Sequence, residues 1–113
     1  MGLFGSSKEE TRREAVRSGS AVPTRSERLL CWAARDAYFA CLDANNIVNA
    51  HAEAAAAAAK CPAESKEFER DCARQWVKYF KDWRVADDAR RKRIEKLEKE
   101  GAEPINLAVR PVN

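Results

Sequence analysis

Four cysteines fall in two widely separated pairs of nearly equal spacing: nine residues lie between Cys31 and Cys41, and ten between Cys61 and Cys72. On a helix rising about 1.5 Å per residue, the members of each pair sit roughly 15 to 17 Å apart along the axis. A disulfide needs its Cα atoms within about 7 Å. Neither pair therefore closes within its own helix, and the bonds run between helices. Two antiparallel helices match the spacings end to end, bringing Cys31 to Cys72 and Cys41 to Cys61. A parallel arrangement demands a longer return path than the segment between Cys41 and Cys61 supplies. Of the three connectivities that four cysteines allow, the nested one is expected. Ten residues stop about 80° short of three turns and eleven overshoot by about 20°, so each pair keeps roughly to one helix face.

The rest of the chain is consistent with helices around those staples. In 113 residues, charged side chains make up 35% while Gly and Pro number only four each, which is a helical composition. The apolar volume is small, and a small core needs cross-links. Residues 1–23 carry no sustained apolar period and read as a flexible arm ending at Pro23. Thr24 with Glu27 three residues on is a capping box, starting a helix over about Arg25 to Asp43. Its buried stripe is Leu30, Cys31, Ala34, Tyr38, Cys41 and Leu42. Asn45 and Asn46 interrupt it, and Ile47 to Lys60, with six alanines in a row, forms a loose helical connector. A second helix is expected from about Ala63 to Glu100, with Gly101 as terminator. Phe68, Cys72, Trp76 or Gln75, Tyr79, Phe80 and Trp83 make its stripe. The domain division is then a hairpin over 24–85, a charged helical extension over 86–101, and an unstructured tail over 102–113. The fold class is all-α.

Several functions are disfavoured. A net charge of +3, without aromatic residues interleaved in a basic strand pattern, does not point to nucleic acid. No apolar run approaches the roughly 20 residues that cross a bilayer. Glu9, Glu10 and Glu14 depart from the acid-poor composition of a transit peptide. The Gly2-Leu3-Phe4-Gly5-Ser6 start matches a myristoylation pattern, though so short a pattern recurs by chance. The cysteine spacings do not resemble a zinc motif, and the single histidine, His51, falls in the connector. No paired carboxylates, activated nucleophile or phosphate loop suggests a conventional enzyme. Arg90 to Arg93 reads first as a solvated helix face, and second as a weak contact for anionic lipid or an acidic partner.

The segment from Cys31-Trp32-Ala33-Ala34-Arg35-Asp36-Ala37-Tyr38-Phe39-Ala40-Cys41 to Cys61, Cys72 and Gln75-Trp76-Val77-Lys78-Tyr79-Phe80 resembles the cytochrome c oxidase subunit 6B-like family. Its assembly factor 6 branch is the part it looks most like. The resemblance covers about residues 25–85 and rests on the unequal nine-and-ten spacing together with both aromatic signatures. It implies a protein of the mitochondrial intermembrane space, oxidised there and imported without a presequence. It further implies a role in maturing the binuclear copper site of oxidase subunit 2, alongside Sco-type copper metallochaperones. Carried onto this chain, Cys31 with Cys72 becomes the candidate redox pair and candidate copper(I) ligand set, while Cys41 with Cys61 becomes structural. Copper(I) accepts two soft thiolates, and Arg28 and Arg35, one turn to either side of Cys31, could favour a thiolate there. Trp32, Trp76, Tyr79 and Phe80 exceed what so thin a core needs and read as an interface, to a partner or in a homodimer. The competing reading is a structural subunit or scaffold of a respiratory complex whose disulfides are inert.

Overall fold

A computed structural model describes residues 3–101, and its five helices are α1 (Leu3–Ser18), α2 (Arg25–Ala44), α3 (Ala54–Lys60), α4 (Pro62–Asp71) and α5 (Arg74–Lys99). No strand occurs among the described residues. Gly2 and residues 102–113, on which the acylation and tail expectations fall, lie outside them.

Helix α2 begins as its sequence requires. The Thr24 hydroxyl accepts from the Glu27 amide at 3.2 Å, and the Glu27 carboxylate accepts from the Thr24 amide at 2.8 Å. Two of the amide donors left open at the helix start are thereby satisfied. The helix buries Cys31, Ala34, Tyr38 and Leu42, whereas Leu30, expected in the same stripe, is exposed. Helix α4 runs back antiparallel beside it, Pro62 occupying its first turn, where a missing N–H costs nothing. Two disulfides close the hairpin, Cys31–Cys72 and Cys41–Cys61, with Cα separations of 4.8 and 6.1 Å. The pairing and the all-α hairpin expected from the spacing are therefore observed.

The second helix is not continuous. Cys72 (φ −118°, ψ 149°) and Ala73 (φ −63°, ψ 145°) are extended and separate α4 from α5. The break resets the helical phase, so the inward residues of α5 are Val77, Phe80 and Arg84. Trp76, Tyr79 and Trp83, placed in the stripe by extrapolating from Phe68 and Cys72, turn outward instead. The core comprises Tyr38, Leu42, Ile47, Ala50, Ala57, Phe68, Val77 and Phe80 around the two disulfides. The Tyr38 and Phe68 rings meet at 5.3 Å between centroids, and burial pushes the Tyr38 phenol above its ordinary range.

Arg84 is the charged residue of this core. Its Nε donates to Val48 O at 3.2 Å, and its Nη2 donates to Ile47 O at 2.7 Å and to Asp43 Oδ1 at 2.6 Å. The guanidinium also lies 5.0 Å from the centre of the Phe39 ring. It thus satisfies carbonyls that the chain leaves open after α2, and joins that turn to α5.

A flexible arm is expected over 1–23, but helix α1 occupies most of that segment. Glu14 and Arg17 pair within it at 3.1 Å, and Gly19, at φ +87°, ends it in the left-handed conformation that glycine tolerates. Over residues 8–18 of α1, whose side chains are described, Val16 alone is buried. Polar contacts fasten the helix: Arg12 forks onto Glu27 at 2.7 and 3.0 Å and donates to Val22 O at 3.0 Å. Arg74 meets Glu14 at 3.0 Å. From Lys8 to Ser18 the apolar residues are only Ala15 and Val16, adjacent in sequence, which gives no periodicity to detect and is why the helix is hard to see in the sequence.

Candidate functional site

The Cys31–Cys72 disulfide lies where the start of α2 meets the break between α4 and α5. Both residues are nearly enclosed, Cys31 at 8% and Cys72 at 1% exposure. They line a groove of about 340 Å³, whose walls include Val16, Val22 and Pro23 on the α1 side and Trp32, Trp76 and Phe80 on the other. Apolar side chains dominate, and Glu27, Arg28 and Asp71 supply its charge. Of the two arginines flanking Cys31 in sequence, Arg28 lines the groove, with its Nη1 donating to Pro23 O at 3.3 Å. Arg35 instead lies over the Phe80 ring at 4.8 Å and pairs with Asp36 at 2.8 Å.

The groove continues into an aromatic strip. Trp76 contacts Tyr79 edge-on at 5.7 Å between centroids, and Tyr79 contacts Phe80 at 5.4 Å. Trp32, Trp76, Tyr79 and Trp83 are 43–53% exposed, although each carries a large apolar ring. Phe80, grouped with them as an interface residue, is buried and serves as the floor of the strip. Exposed rings at such density are costly in water unless something covers them.

The second disulfide has different surroundings. Cys61 is fully buried at the junction of α3 and α4, while Cys41 is partly exposed on the last turns of α2. Asn45 directs its Nδ2 toward both sulfurs, at 3.8 and 3.9 Å, and toward Cys41 O at 2.9 Å. This end holds no aromatic strip; its neighbours are α3 and the connector.

Helix α1 frames the first site electrostatically as well. The Arg12 guanidinium, and after it the Thr24 amide, hold the Glu27 carboxyl down to about 2. His51, in the connector, is exposed and reaches Asp82 on α5 at 3.0 Å. The basic run on α5 is largely paired along its own helix: Arg90 and Arg91 share Asp87, at 2.6 and 3.1 Å, and Lys92 meets Asp88 at 3.0 Å. No helix of the described residues is long and apolar enough to cross a membrane.

A family model described as cytochrome oxidase c subunit VIb matches residues 20–95, which contain both disulfides, the aromatic strip and every residue lining the groove except Val16. The chain belongs to this family. Among curated relatives of this subunit VIb-like chain, the cytochrome c oxidase assembly factor 6 of Saccharomyces cerevisiae is 44% identical over 79 residues, or 68% of this chain and 76% of that protein. The assembly factor 6 homologue of Bos taurus is 43% identical over 60 residues, 53% of this chain and 65% of the relative. That of Homo sapiens is 40% identical over 62 residues, 55% of this chain and 42% of the relative. The match thus spans less than two thirds of the mammalian proteins. No solved structure gives a significant match. The resemblance read from the cysteine and aromatic signatures agrees with this family.

Proposed function

We propose that this chain is an assembly factor for mitochondrial cytochrome c oxidase, acting in the intermembrane space. Four curated relatives carry that name, and two disulfides suit an oxidising compartment. Within that role, the Cys31–Cys72 pair exchanges thiols with a Sco-type copper metallochaperone during maturation of the copper site of oxidase subunit 2. The observation that carries the reading is the placement of this disulfide in an apolar groove continuous with exposed Trp32, Trp76 and Tyr79. A partner seated on those rings would bring its own thiol to the bond while covering apolar surface. The same rings serve a homodimer when no partner is present.

Copper(I) is cargo in this scheme. Reduction of Cys31–Cys72 gives two thiolates on backbones 4.8 Å apart at Cα, in apolar surroundings that suit a soft monovalent ion with two sulfur ligands. Thiol exchange needs one sulfur attacked and the other released; Arg28 in the groove favours the thiolate that leaves.

Trapping tests the reading. In Cys31→Ser or Cys72→Ser chains, the remaining thiol forms a stable mixed disulfide with the Sco-type partner, whereas a Cys41→Ser, Cys61→Ser double variant traps nothing extra. Equal trapping through Cys41 or Cys61 would overturn the assignment. The near-complete enclosure of Cys72 favours a second reading, a structural subunit with inert bonds; an absence of any mixed disulfide would select it.

A further inference from the structure

We infer that the reduced chain holds a divalent, borderline-soft metal ion such as Zn²⁺ at Cys41, Cys61 and Glu64, the opposite end of the hairpin from the proposed exchange site. Their ligand atoms lie within 4.8 Å of one another, and no other trio of His, Cys, Asp or Glu among the described residues gathers so closely. The sequence spacing argues against zinc because Cys41 and Cys61 are far apart along the chain. The fold removes that objection: the end of α2, the α3–α4 junction and the first turn of α4 converge.

Three observations fix the chemistry. First, tetrahedral zinc with sulfur bonds of about 2.3 Å sets its two sulfurs about 3.8 Å apart. The present Cα separation of 6.1 Å allows this opening with both helices in place. Second, Glu64 supplies an oxygen ligand. A hard carboxylate beside two thiolates suits Zn²⁺ better than copper(I), which is satisfied by sulfur alone. Third, the Asn45 amide already points at both sulfurs, and a donor there stabilises thiolate charge and orients the ligands. Cys61 is fully buried while Cys41 and Glu64 are partly exposed, so an ion enters from the solvent side and keeps one water as fourth ligand.

The steps balance. Two equivalents of a thiol reductant break the Cys41–Cys61 bond; the cysteines gain two hydrogens and the reductant leaves as its own disulfide. Binding then releases the two thiol protons to solvent as the thiolates take the ion. The site therefore exists only in the reduced chain, and oxidation expels the metal.

The test uses the full chain, reduced with dithiothreitol, freed of reductant anaerobically, and titrated with Co²⁺ and then Zn²⁺. One equivalent of Co²⁺ is expected to give thiolate-to-cobalt charge-transfer absorption, displaced by Zn²⁺. The signal persists in a Cys31→Ser, Cys72→Ser chain, vanishes in Cys41→Ser, Cys61→Ser, and needs about tenfold or more metal in Glu64→Gln. Helix content is followed by circular dichroism in parallel. If the reduced chain loses helix, metal restores it in the parent at lower concentration than in Glu64→Gln. Binding unaffected by Glu64→Gln, or retained without Cys41 and Cys61, overturns the inference.

Discussion

Replacing Arg84 by methionine removes a buried charge together with its bonds and keeps most of the side-chain volume. The side chain is 9% exposed, and its donors end on Ile47 O, Val48 O and Asp43 Oδ1. Asp43 is 70% exposed and simply returns to water, so its loss contributes little. The two carbonyls matter more. Ile47 is buried, and a buried acceptor without a donor costs about 1–3 kcal/mol. Val48 is half-buried and recovers part of its loss from solvent. The contact with Phe39 adds about 0.5–1 kcal/mol, of which methionine keeps a share. The expected destabilisation is therefore about 2–3 kcal/mol, or roughly 8–24 °C in Tm for a folded unit of this size. Urea unfolding of the oxidised chain, followed by circular dichroism with both disulfides intact, measures it directly. Arg84→Lys should recover only part, because one ammonium does not reproduce a planar fork. A methionine variant within about 0.5 kcal/mol of the parent would refute the argument that Arg84 closes the turn after α2.

Further tests address the ends of the hairpin. Because Glu27 is depressed to about 2 when folded, against an ordinary value of 4.5, its ion pair contributes fully above about pH 4.5 and is lost as pH falls toward 2. A carboxyl NMR titration should place the Glu27 midpoint near 2 in the parent and move it toward 4.5 in Arg12→Ala; an unmoved midpoint contradicts the contact. Thr24→Ala removes the side chain that caps α2 and should cost about 1 kcal/mol in the same urea assay, with no loss expected if the cap were incidental. Opening Cys41–Cys61 by double serine substitution releases a constraint spanning 20 residues, worth about 3 kcal/mol in the chain-entropy account, against about 4 for the 41-residue span of Cys31–Cys72. Unfolding midpoints in the opposite order would show that native packing outweighs the loop term.

The hairpin was legible because two constraints agree. Spacings of nine and ten place the cysteines on helix faces, and disulfide geometry forbids closure within a helix. The capping box at Thr24 was legible for a similar reason, since its chemistry is local. The outward turn of Trp76 and Tyr79 was not: it follows from two extended residues, Cys72 and Ala73, and neither is a recognisable helix breaker. Arg84 was hidden by type, because a charged residue amid an α5 rich in arginine looks solvated until the turn it closes is known. Likewise Glu64 follows Cys61 by a single helical turn, but Cys41 lies far away along the chain; only the meeting of α2 with the α3–α4 junction brings the carboxylate to two sulfurs. What sequence carries poorly here is therefore phase after a break and contacts across the fold.

The proposed function makes the two disulfides unequal, with Cys31–Cys72 the one that exchanges. Equilibrating the chain across glutathione and dithiothreitol redox buffers, then quantifying alkylation at each cysteine by mass spectrometry, measures both potentials at once. Cys31–Cys72 is expected to open within the range of cellular thiols, above about −300 mV, while Cys41–Cys61 stays closed until more reducing conditions. Two potentials that both lie below about −300 mV, or Cys41–Cys61 opening first, would contradict it.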